Sequence, residues 1–117
     1  MARISYTLRH TSRAVVEIAG SLIEGDRDTL FRMLKNLIIV RGKRHIVLKF
    51  TRTKHDELLL GEAGAADLLT WGEGGGVHIV GASPLFRRMV EQTGLPPNTK
   101  FFDTVQQALD GFGKYTA

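Results

Sequence analysis

Few residue types in this 117-residue chain could do chemistry, and their spacing limits what that chemistry is. There is no cysteine, which removes disulfides and thiolate metal sites and suits a reducing cytoplasm. The four histidines, His10, His45, His55 and His78, have no partners at metal-ligand spacing, and zinc sites use three or four ligands. His55 followed by Asp56 and Glu57 is the one compact cluster. Neighbouring carboxylates point apart, so they make a poor acid–base pair. Ser83 before Pro84 reads as a helix cap rather than a nucleophile. The run from Gly72 to Gly76 lies between a helix and a strand. Phosphate cradles run strand, glycines, helix, so the run reads as a turn. Nothing in these residues argues for catalysis, a metal or a cofactor, and the expectation is that the chain is not an enzyme.

The elements that must position them follow from periodicity. Ile4, Tyr6 and Leu8 alternate with polar residues, predicting a half-buried strand. Ala14 to Ile18 predicts its hairpin partner. Gly25-Asp26-Arg27-Asp28 opens a helix whose aspartates suit its positive end, with Leu30, Leu34, Leu37 and Ile38 on the inward face and Gly42 as the stop. Ile39 and Val40 widen that face, as core or as contact surface. His45 to Phe50 is β-branched and apolar, a central strand, and Thr51 to His55 reads as a loop. Asp56 is placed to cap a helix from Glu57 to Trp71. Val77, Ile79 and Val80 make a strand, from which His78 alternates away; Leu85, Phe86, Met89 and Val90 form a helix face ending at Gly94. Lys100 to Phe102 is a last strand, and Asp103 with Gln106 reads as the capping box of a last helix, with Val105, Ala108, Leu109 and Phe112 inward. The expectation is one domain over residues 1–117, α/β, with a mixed five-stranded sheet and four helices.

Charge is uneven. Residues 1–54 hold 12 Lys/Arg and 4 Asp/Glu, and residues 55–117 hold 4 and 8. Arg41, Lys43, Arg44, Lys49, Arg52 and Lys54 straddle the central strand, but alternation splits Lys49 from the others. A nucleic-acid face is therefore the weaker reading; a polarised surface for a protein partner, or a charge distribution with no role, is the stronger. The N-terminus lacks the apolar core of a signal peptide, and no apolar run approaches a membrane span.

The order of elements, the strand at His45-Ile46-Val47-Leu48, Gly74-Gly75, Gly81-Ala82-Ser83-Pro84, Arg88 and Val90 together resemble the STAS domain of bacterial anti-sigma factor antagonists. The resemblance implies a cytoplasmic regulator of transcription that binds an anti-sigma factor kinase and needs no cofactor. In that family the loop after the central strand carries Asp-Ser-Ser-Gly-Leu, and its first serine is phosphorylated. This chain has Asp56-Glu57-Leu58-Leu59-Leu60 there. Asp56 matches the aspartate, and Glu57 stands at the phosphorylation-equivalent position. The resemblance thus implies partner binding through Thr53, His55, Asp56, Glu57 and Leu58 without the serine switch. Thr51 and Thr53 are the hydroxyls left nearby. Other STAS domains regulate transporters or bind small ligands, which stays open as an alternative.

Overall fold

A computed structural model describes residues 2–10, 12–60, 75–93 and 99–113. Five strands form one sheet in the order β1-β2-β3-β4-β5: β1 Arg3–His10, β2 Arg13–Ser21, β3 His45–Lys54, β4 Gly76–Val80 and β5 Lys100–Phe102. β1 and β2 are an antiparallel hairpin, and the remaining neighbours are parallel. Among the described residues the helices are α1 Glu24–Lys35, α2 Pro84–Thr93 and α3 Val105–Asp110, with a 3-10 turn at Asp56–Leu59. The helix expected from Glu57 to Trp71 begins as that 3-10 turn, and its residues 61–71, the glycines at 72–74 and the Gly94 stop lie outside the described residues.

The strands carry β-branched residues that belong on a pleated, buried surface. All of Gly76–Val80 is buried. The larger core joins Val16, Ile18, Ile46, Leu48 and Ile79 of the sheet to Leu30, Leu34, Leu37 and Ile38 of the first helix and to Phe86 and Val90 of α2. On the other face Val15, Val47 and Val80 meet Ala108 and Leu109 of α3. Arg13 crosses to that helix and donates to the Leu109 and Gly113 carbonyl oxygens at 2.8 and 2.9 Å. A cation suits the negative end of a helix.

Two glycines are fixed by close approach. A Cβ on Gly75 would stand 1.8 Å from the Arg44 carbonyl oxygen, because Gly76 donates its amide to that same oxygen. One on Gly81, at φ +79°, would stand 2.3 Å from the Phe50 oxygen.

Several local expectations are corrected. Thr51 to Lys54 is strand rather than loop: β2 pairing continues through a bulge, and Thr53 Oγ1 donates to the Ile18 oxygen at 2.9 Å. Arg52 takes a left-handed φ of 48° at that bulge, an irregularity that re-aims a strand. Tyr6 and Leu8 are 41% and 43% exposed, because an edge strand has cover from one neighbour only. Leu85, expected inward, is exposed on α2. The first helix starts one residue early, with Ile23 at the N-cap, and Asp26 is buried where it accepts amide hydrogens from Ile23 and Ala2. The last helix is capped by Thr104, whose hydroxyl accepts from Gln107, while the Gln107 side chain accepts from Asp103. The box therefore sits one residue later than the Asp103–Gln106 expectation.

Candidate docking site

The segment after β3 meets the start of α2 at the carboxyl ends of the parallel strands, where ligands and partners of open α/β sheets gather. Asp56 organises the junction. It is 2% exposed, and its two carboxylate oxygens accept from the Ser83 amide at 2.6 Å and the Ser83 hydroxyl at 2.7 Å. The Ser83 hydroxyl in turn accepts the Phe86 amide at 3.1 Å, which makes it the N-cap of α2. Asp56 thus fixes the cap of a helix 27 residues on, whereas it was expected to cap its own segment. Residue 55 stands at the N-cap of the 3-10 turn with no side-chain cap bond.

Holding Asp56 inward turns its neighbours outward. His55 adopts a left-handed φ of 63° and its side chain is two-thirds exposed. Glu57 is partly exposed, with Oε1 3.8 Å from His55 Nδ1. Arg52 and Lys54 are exposed on the strand end. Leu58 is partly buried against the larger core, and Leu59 is fully buried. Of the two hydroxyls, Thr53 bonds to the Ile18 oxygen, and Thr51 Oγ1 donates to Glu17 at 3.0 Å.

Of the expected contact residues, His55 and Glu57 therefore stand together at the surface. Thr53 and Leu58 stand partly behind them, and the Asp56 side chain lies inside as the anchor. The role of Ser83 as Asp56's partner was missed from sequence. The signal available was an aspartate with no apolar neighbour on its N-terminal side and a Ser-Pro helix start, but nothing in spacing joins positions so far apart.

His78 has the other polar site of note. It is buried under α3, donates from Nδ1 to the Ala108 oxygen at 2.7 Å and stacks on Phe112 with 3.7 Å between ring centroids. That makes it a satisfied core histidine. Burial pushes its pKa down to about 4, against the Ala108 hydrogen bond, which raises it; Lys100, His45 and Arg13 add to the lowering. No group of three metal-ligating side chains occurs among the described residues.

No family model and no curated protein matches the sequence. Solved structures do match in shape. The Thermotoga maritima protein TM1081, described as an anti-sigma factor antagonist, superposes with a TM-score of 0.79 at 16% identity, covering 95% of each chain. The unphosphorylated anti-sigma factor antagonist SpoIIAA gives 0.74 at 16% identity, covering 93% of this chain and 96% of its own. An anti-sigma factor antagonist of Mycobacterium paratuberculosis gives 0.69 at 17%, covering 97% and 94%. The chain has the STAS fold of the anti-sigma factor antagonists. SpoIIAA, a Bacillus cell fate determinant, is also known in a phosphorylated form; the identity is low enough that the likeness speaks for the fold alone.

Proposed function

We propose that the chain is a regulatory protein-binding module of the anti-sigma factor antagonist type. It docks a partner through residues 52–57 at the end of β3, without chemistry of its own and without a serine switch. The observation that carries this reading is the buried Asp56–Ser83 clamp, which rigidly presents Arg52, Lys54, His55 and Glu57. Preorganised surfaces bind with less ordering cost. Glu57 keeps a constant charge where the resembled family switches one on and off.

Three cationic or protonatable side chains beside one carboxylate favour an acidic partner surface, such as that of an anti-sigma factor kinase. The test is calorimetric titration of the purified chain with such a kinase. Lys54→Glu weakens binding about tenfold and Glu57→Ala tightens it a few-fold on this reading. Equal affinity for all three proteins refutes it. Random duplex DNA serves as the control for a purely basic surface, which would show a steep loss of affinity with salt.

A further inference from the structure

A group of exposed apolar side chains lies at the other end of the sheet. The first helix runs on from Lys35 into a π-helical turn, Asn36–Val40, closed by the Arg41 amide donating to the Asn36 oxygen. Two α-helical turns after Leu34, residue 41 would return to the buried face. The wider turn rotates Arg41 out to solvent and leaves Leu37 and Ile38 inside, while Ile39 and Val40, on the outer face, are 57% and 73% exposed. Such turns often mark functional positions.

Tyr6 and Leu8 stand two and four residues beyond Ile4, which packs on the larger core, so they share the sheet face covered by the first helix. The Arg41 guanidinium lies 5.6 Å from the Tyr6 ring centroid and joins the two groups. Of the six large apolar side chains exposed among the described residues, four therefore lie on the two elements that Arg41 bridges. Scattered exposed apolar residues are ordinary, but a cluster rimmed by charge marks an interaction site.

A cleft of about 250 Å³ runs along the outer face beside it, lined by Arg32, Lys35, Asn36, Ile39 and Val40. That spacing is i, i+3, i+4, i+7 and i+8, one stripe along the helix. It is cationic at one end and aliphatic at the other, and among the described residues no carboxylate lines it. We infer that this cleft and the Tyr6–Leu8 edge receive an acidic amphipathic helix of a partner protein. A second copy of the chain would set Arg32, Lys35 and Arg41 against their own kind, which like-charge repulsion disfavours. A bilayer wants a protruding apolar face, whereas a groove admits the side-chain ridge of a helix. β3 separates this patch from the loop that follows Lys54, roughly 30 Å for ten extended residues, so the inference stands apart from the function proposed above.

The experiment is amide NMR of the whole chain titrated with a short capped peptide of leucine, alanine and glutamate, with leucines at i, i+3, i+4 and i+7. The Glu-to-Lys version of the peptide and phosphatidylcholine–phosphatidylserine vesicles are the other probes. The acidic peptide shifts Lys35 to Arg41 and Tyr6 to Leu8, Val40→Asp weakens it about tenfold, and the Arg32→Glu, Lys35→Glu pair transfers binding to the lysine peptide. Val40 is so exposed that its replacement leaves the fold intact, which thermal melting checks; Ile39→Ser is the second variant. Shifts elsewhere or none, equal binding of the lysine peptide by the unmodified chain, vesicle binding in place of peptide binding, or self-association lost with Val40→Asp each overturn the inference.

Discussion

The Asp56 carboxylate sits 2.6 Å from the Ser83 amide nitrogen and 2.7 Å from the Ser83 hydroxyl oxygen, out of contact with solvent. Through this contact the end of β3 is tied to the start of α2, and the 3-10 turn that follows the strand is held at its first residue.

Breaking the clamp should cost stability unequally. Hydrogen bonds to a charged group contribute about 1.5–3 kcal/mol each, and removing the buried Asp56 side chain leaves two half-buried Ser83 donors without their acceptor, so Asp56→Ala should lose roughly 2–4 kcal/mol. Ser83→Ala removes a helix cap, about 1 kcal/mol, and the acceptor for Phe86. Urea unfolding of both single variants and the double should show a coupling of at least about 1 kcal/mol. Additive losses would mean the contact is incidental.

His78 gives a pH dependence of definite sign. Its pKa in the fold is about 4, below the ordinary 6.5, so the fold favours the neutral ring. The stability this supplies is fully present above pH 6.5 and is lost progressively as pH falls toward 4. The urea midpoint should therefore decline between pH 6.5 and 4.5, and His78→Gln should flatten that decline. The same slope in both proteins would assign it to other groups.

The glycines divide by what a methyl would meet. Gly75→Ala collides with the Arg44 oxygen and should destabilise by about 2 kcal/mol or more. Gly25, inside the first helix with open space around it, should tolerate alanine and gain about 0.5–1 kcal/mol. Thermal melting of the two variants should move in opposite directions.

What could be read in the sequence was whatever depends on neighbours in the chain. The Leu30–Leu34–Leu37–Ile38 face, the Gly42 stop, the Ser83-Pro84 helix start and the mixed sheet are all local patterns, and all are present. What could not be read depends on partners far along the chain. The Asp56 anchor needs Ser83, and the continuation of β3 past Phe50 needs the bulged pairing with β2. The exposure of Tyr6 and Leu8 needs the strand order, since the same alternation would be buried one place further into the sheet. Ile39 and Val40, legible only as extra apolar width, lie on the outer face, and the π-helical turn that carries Arg41 out beside them is announced by no periodicity.

The docking proposal is tested most directly by titrating the purified chain with an anti-sigma factor kinase, with and without ATP. A complex whose affinity is the same in both conditions, falls about tenfold in Lys54→Glu and rises in Glu57→Ala is the expected result. Phosphate transfer to the chain that abolishes the complex, or a complex indifferent to both substitutions, would contradict it.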